Sequence, residues 1–237
     1  MSRGLRLQDL AFLGRVGNSA VTPLSFPGLH RWYKADSYTG IANDGDGVGG
    51  GANPRGPWIE QTGSGDDAMG AGIFKTNQVG TQPIIRFGGG PNSMEFLPGT
   101  LNDFTVVYLA KTPVANPSFL FYNFATGHQI RQQFFGVHEI IFYAGGALIT
   151  SSILPGNNFD AVEIVRSAGT ITYRQNLISR GGGFENTPWT VHQIGNSSGA
   201  TNEADVGEIL MYNTALSQAN LNSLYNDYLK PKWVLLP

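Results

Sequence analysis

Val206-Gly207-Glu208-Ile209-Leu210-Met211-Tyr212-Asn213-Thr214-Ala215-Leu216-Ser217 joins two kinds of element in one short stretch. Residues 206–212 are a β-branched, aliphatic and aromatic run, the composition of a strand packed on a pleated surface. Ser217 then offers a hydroxyl at a helix N-cap. Leu221, Leu224, Tyr225, Tyr228 and Leu229 recur at helical spacing up to Pro231, which is expected to stop the helix. The reading is a closing strand followed by a terminal helix over about residues 217–229, its apolar stripe lying against a sheet.

Outward from this stretch the signal is β. Pro83 to Phe87, Phe104 to Ala110, Glu139 to Tyr143, Ala161 to Arg166 and Thr170 to Arg174 are short runs of the same composition bounded by turn residues. Ser167-Ala168-Gly169 is a tight turn that pairs two of them. Ile171 and Tyr173 alternate with Thr170, Thr172 and Arg174, the period of a half-buried antiparallel strand. Strands at this spacing without intervening helices imply an all-β antiparallel sandwich. No fixed-period repeat and no long linker divide residues 25–237, which read as one domain.

Composition agrees. At 237 residues, roughly 70–75 % of the unfolded chain's surface can be buried, so a proper core is expected. Only 14 % of residues are charged, and 32 glycines and 13 prolines supply turns. The formal charge of −2 offers no basic field for nucleic acid or an anionic membrane. The lack of cysteine excludes disulfides, thiolate chemistry and Cys-ligated metals.

Residues 1–24 differ from the rest. Leu7, Leu10 and Ala11 stand at helical spacing beside Arg3, Arg6 and Arg15, before Gly14, Gly17, Asn18 and Pro23 break the pattern. Gln8 and Asp9 interrupt what would be the apolar core of a signal peptide, so no export signal is expected. The segment reads as an attachment arm that docks Leu5, Leu7, Leu10, Phe12 and Leu13 on a partner. No window reaches the length of a membrane-spanning helix, and no membrane insertion is expected.

Spaced segments carry a resemblance. Leu29-His30-Arg31-Trp32-Tyr33-Lys34-Ala35-Asp36, the loop Trp58-Ile59-Glu60-Gln61-Thr62-Gly63-Ser64-Gly65-Asp66-Asp67-Ala68, the strand Pro83 to Phe87 and the closing stretch quoted above follow one another in order. Together they are similar to the concanavalin A-like jelly rolls of the laminin-G-like kind, frequent in bacterial surface proteins and bacteriophage structural proteins. The likeness covers about residues 29–229. It implies a jelly-roll sandwich that binds or assembles rather than catalyses. Two features depart from the pattern: the inserted Gly49-Gly50-Gly51-Ala52-Asn53-Pro54-Arg55-Gly56-Pro57, and the arm. Glu60 stands where relatives commonly have Asp.

Other motifs dissolve on inspection. Gly45-Asp46-Gly47-Val48-Gly49-Gly50 fits a dinucleotide fingerprint but lies between Asn43-Asp44 and Asn53-Pro54, not between strand and helix. Gly195-Asn196-Ser197-Ser198-Gly199 fits a nucleophile elbow, yet runs into a polar loop with no histidine after His192. Glu203-Ala204-Asp205-Val206-Gly207-Glu208 has the E-x-D-x-x-E spacing of laminarinase-type glycosidases, whose chemistry needs two carboxyl groups about 5–5.5 Å apart. It falls on the closing strand beside the terminal helix, so Glu203 and Asp205 are expected at a solvated start of that strand. Asp44, Asp46, Asp66 and Asp67 are candidate calcium ligands, because hard cations take clustered oxygens, although no cofactor is required. His30, His128, His138 and His192 are scattered and do not form a zinc motif. Trp32 and Trp58 read as core; Trp189, between Pro188 and Thr190, is the candidate for stacking on a sugar.

The expectation from sequence is a non-enzymatic structural protein of a bacteriophage particle. It would be a capsid decoration or fibre-like jelly roll, made in the host cytoplasm and held on the virion, among other virion proteins, through its arm. A homo-oligomer is expected, and nucleic acid is not a partner. The alternative is a lectin-like module for a host-surface glycan, and the third reading is a glycosidase.

Overall fold

The computed structural model describes residues 20–38, 57–70, 72–87, 93–111, 118–123, 125–134, 138–152, 159–195 and 204–233. After a 3-10 turn at Pro23–Ser25 come strands β1 (Leu29–Tyr38), β2 (Trp58–Glu60), β3 (Met69–Gly70), β4 (Ile73–Val79), β5 (Gln82–Phe87), β6 (Ser93–Leu101), β7 (Phe104–Lys111) and β8 (Ser118–Tyr122). They continue with β9 (Gln129–Phe134), β10 (His138–Ala144), β11 (Ala147–Ser152), β12 (Asp160–Ser167), β13 (Thr170–Gln175), β14 (Ile178–Phe184), β15 (Trp189–Gly195) and β16 (Ala204–Tyr212). The C-terminal helix follows over residues 218–233.

Among the described residues these strands form two antiparallel sheets. The first runs β14-β13-β12-β7-β16-β1-β2, with β5 also paired to β16 and β4 to β5. The second runs β11-β10-β9-β8-β15-β6-β3. The expected sandwich is therefore present, and every run read as a strand is one. At the predicted turn Ser167 pairs with Thr170, and Ala168 and Gly169 take φ of 48° and 81°. Two positive φ values make the type I′ turn whose twist matches a hairpin.

Two apolar layers hold the fold. Between the sheets lie Tyr33, Trp58, Phe87, Phe104, Tyr108, Phe121, Phe142, Trp189 and their aliphatic neighbours. On the other side of the first sheet, Trp32, Ile84, Val107, Leu109, Leu210 and Tyr212 meet Leu216, Leu221, Leu224, Tyr225, Leu229 and Trp233 around the helix. Strand β16 has both layers upon it. Val206, Ile209 and Met211 enter the sandwich and Leu210 and Tyr212 face the helix, so all of its residues are buried. Each large side chain removed from water in this way contributes about 1.5–3 kcal/mol. Gly207 is required where β16 bulges, because a Cβ there would stand 2.5 Å from the Trp233 ring.

Two sequence expectations change. Ser217 caps the helix, its hydroxyl accepting from Asn220 N–H, but Pro231 does not end it. Leu224–Leu229 is wound as a π-helix, with Lys230 N–H donating to Tyr225 O, five residues back. This wider turn ahead of a residue that lacks an N–H lets the helix run on to Trp233, which is buried on Gly207. Arg174, read as an outward solvent-facing residue, is buried on the helix side. Its guanidinium pairs with Glu163 at 3.0 Å and donates to Asn222 Oδ1 at 3.0 Å.

Candidate functional site

The two outer faces of the sandwich differ. The helix covers the first sheet. Among the described residues no helix lies on the second, so its outward side chains are the place to look for a ligand surface.

Strand register decides which those are. Met94, Ile194, Phe121, Ile130, Phe142 and Ile149 face one another across β6, β15, β8, β9, β10 and β11, and all lie in the sandwich core. Side chains alternate along a strand, so the adjoining line points away from that core. It reads Glu95, Gln193, Tyr122, Gln129, Tyr143 across β6, β15, β8, β9 and β10. Four strand spacings of about 4.8 Å make this line about 19 Å long. Glu95 is exposed, and Tyr122, Gln129 and Tyr143 are half-buried. Gln193 is buried and donates to Ser93 Oγ at 2.7 Å.

Polar groups flank the line. Arg131, opposite Ile141 on β10, lies near Glu139, whose charge supports the guanidinium while burial, the larger effect, lowers its pKa. Thr100 and Thr190 join their hydroxyls at 3.2 Å. His128 Nδ1 accepts the Thr190 N–H at 3.0 Å, and burial lowers its pKa against the pull of Glu185. Two tyrosine rings interleaved with amides, beside hydroxyls and few charges, can present both a stacking surface and hydrogen bonds to a polyhydroxylated ligand.

The residues singled out from sequence fall elsewhere. Trp189 is a correction: it has no exposed surface, and Phe104, Phe121 and Phe142 surround it with ring centroids 5.2, 6.0 and 6.1 Å away. A ring packed on all sides has no face to offer a sugar, because β15 turns its side chain into the sandwich. Trp32 and Trp58 are core, as read.

Asp66 and Asp67 are both tied into their loop by hydrogen bonds. Asp66 accepts from Arg31 Nε at 2.6 Å and from Leu97 N–H at 2.8 Å, and Asp67 accepts the Glu60 N–H at 2.8 Å. Glu60 in turn accepts the Trp32 and Thr62 N–H groups and the Thr62 and Ser64 hydroxyls. Burial opposes its charge, but these donors outweigh burial and hold its carboxyl below the usual range. Among the described residues no group of three or more His, Asp or Glu is placed to hold a metal. Asp44 and Asp46 lie outside the described residues, as do Leu5, Leu7, Leu10, Phe12 and Leu13.

The E-x-D-x-x-E carboxylates are engaged as well. Asp205, expected in solvent, is buried and takes both arms of Arg86 at 2.5 and 2.7 Å. Glu208 is buried under the helix; Glu203 lies outside the described residues.

Sequence reading missed Glu95, Tyr122, Gln129, Tyr143 and Gln193. The available signal was polar and aromatic alternation, as in Gln129-Ile130-Arg131 and Phe142-Tyr143, but which strands stand side by side is not written locally.

No protein-family model and no curated protein matches the chain. Solved structures do. The ligand-binding domain of botulinum neurotoxin serotype D, in complex with N-acetylneuraminic acid, has a TM-score of 0.59 at 10 % identity, over 83 % of this chain and 52 % of that one. The binding domain of Paraclostridial mosquitocidal protein 1 gives 0.54 at 15 % identity, over 82 % of this chain and 53 % of that one. Trypanosoma rangeli sialidase gives 0.58 at 13 % identity, over 90 % of this chain and 34 % of that one. The chain thus spans about half the length of the toxin domains and a third of the sialidase. At these identities the likeness is one of fold, an all-β sandwich.

Proposed function

We propose that this chain is a non-catalytic carbohydrate-binding module whose ligand lies along Glu95, Gln193, Tyr122, Gln129 and Tyr143 on the outer face of the second sheet. The register line itself carries the reading: neighbouring strands place two tyrosines and two glutamines in one row on a face that no helix covers among the described residues. Sugar rings would stack on Tyr122 and Tyr143, while the amides fix orientation. The similar toxin domain that holds N-acetylneuraminic acid supports the class of ligand. The non-catalytic part is supported by Asp205 and Glu208, whose oxygens are taken by Arg86 and by donors beneath the helix.

The virion role expected from sequence draws on the jelly-roll resemblance, the lack of an export signal, the sparse charge and the arm, and of the arm residues 1–19 lie outside the described residues. The similar structures given above are described as toxin binding domains and a sialidase, which favours the lectin-like alternative.

A glycan array probed with the intact chain tests the proposal. Binding is expected, and Tyr122→Ala with Tyr143→Ala should weaken it at least about tenfold, the equivalent of about 1.4 kcal/mol. Unchanged binding by the folded double variant would remove this face from consideration.

A further inference from the structure

On the outer face of the second sheet, among the described residues, two buried side-chain amide oxygens have no hydrogen-bond partner, and the one donor atom in the same state, Nε of Arg131, belongs to a guanidinium whose charge Glu139 supports. Gln193 spends its Nε2 on Ser93, while its Oε1 is unpartnered. Oε1 of Gln129, two strands along the same line, is in the same state. A buried acceptor left unsatisfied is costly, so a ligand that brings donors gains more there than on ordinary surface. Charge points the same way. Glu95 stands exposed at one end of the line, and the positive charge of Arg131 is met by Glu139 on the neighbouring strand. Among the described residues the face carries Glu95 and Glu139 against Arg131, a slightly negative balance.

We infer, resting on the carbohydrate-binding reading, that the ligand is an uncharged, hydroxyl-rich linear glycan laid across the strands, and not an acidic sugar. A sugar hydroxyl can donate to Gln193 Oε1 or Gln129 Oε1 while accepting elsewhere. A carboxylate can only accept, so it meets acceptors it cannot satisfy and, at one end, the charge of Glu95. A line about 19 Å long favours several linked units over a single ring, because only an extended chain reaches both Glu95 and Tyr143. The covered Oε1 atoms require the surrounding side chains to shift as the chain settles. This places the protein apart from the sialic-acid complex of the similar toxin domain while keeping the fold in common.

The test uses the full chain on an array of neutral linear oligosaccharides together with sialylated glycans and their desialylated counterparts. Neutral chains should be bound, longer ones better than short ones. A sialylated member should bind about five- to tenfold more weakly than its neutral counterpart, the effect of about 1 kcal/mol of like-charge repulsion near the surface. Glu95→Lys should narrow or reverse that difference, and Phe184→Ala, on the first sheet, should leave binding unchanged. If sialylated glycans bind as well as or better than neutral ones, and Tyr122→Ala abolishes that binding, the face is a glycan site but the inference is overturned. If no glycan of either kind binds, or binding survives loss of both tyrosines, the underlying reading falls and takes the inference with it.

Discussion

Trp32 and Glu208, on the paired strands β1 and β16, are joined by a hydrogen bond in which the indole Nε1 donates to the carboxylate at 2.6 Å. The same carboxylate accepts from Tyr228 O–H at 2.5 Å and from Lys232 Nζ and Trp233 Nε1 at 2.8 Å. Two strands and the far end of the helix therefore converge on one buried charge. Burial first, and the Glu208 charge second, raise the Tyr228 hydroxyl's pKa, which keeps it a donor.

Glu208→Gln should consequently destabilise the fold strongly. It removes the anion but leaves the buried indoles and Lys232 directed at a neutral amide, and breaking a buried pair in this way costs about 3–5 kcal/mol. A urea titration followed by tryptophan fluorescence measures it. A midpoint equal to that of the unaltered chain would mean that apolar packing alone holds the helix.

Trp189 and Tyr122 should separate stability from binding. Trp189→Ala empties the centre of the ring cluster formed with Phe104, Phe121 and Phe142, so about 3–5 kcal/mol of stability should be lost. Tyr122→Ala trims a half-buried outward ring and should cost about 1 kcal/mol or less while reducing glycan binding. Thermal unfolding and array binding on the same two variants check the pair. The opposite pattern, with Trp189→Ala folded but unable to bind, would restore the tryptophan as the sugar platform.

What the sequence made legible was local. Residues 206–212, 161–166 and 170–174 are strands because composition and turn chemistry agree there, and Ser167-Ala168-Gly169 turns as read. Pro231 and Trp189 misled for tertiary reasons. The π-wound segment lets the helix pass a proline in order to bury Trp233, and the parity of β15 sends Trp189 inward although its neighbours Pro188 and Thr190 suggest an exposed position. The register line of Tyr122, Gln129 and Tyr143 could not be found without knowing that β8, β9 and β10 are consecutive in the sheet while Gln193 arrives from far along the chain.

Asp66→Asn should weaken the fold by about 2–4 kcal/mol whether or not calcium is present. Asp66 is tied to buried Arg31, whose guanidinium also lies 4.6 Å over the Phe96 ring and donates to Leu97 O at 2.6 Å. Loss of the carboxylate strands that charge between the sheets. Melting curves in calcium and in chelator read the result. A calcium-dependent gain in the unaltered chain that disappears in Asp66→Asn would return this loop to the role of cation site.

The pH dependence of stability should have two arms of opposite sign. Glu163, buried beneath the helix, has its pKa pushed up to about 7 by loss of solvent, with Arg174 pulling in the other direction. A carboxyl whose folded value exceeds its ordinary 4.5 favours folding when protonated. Its contribution is therefore complete below pH 4.5 and is lost as the pH rises through 7. A shift of this size corresponds to about 3 kcal/mol across that window. Glu60 acts in reverse: its depressed carboxyl supports the fold above the ordinary value, and that support is lost as acid protonates it. Unfolding free energy measured from pH 3 to 8 should thus rise on leaving acid and then decline toward neutrality. Glu163→Gln should abolish the decline and Glu60→Gln should flatten the acid limb. A decline toward neutrality that persists in Glu163→Gln would assign the titration to another group.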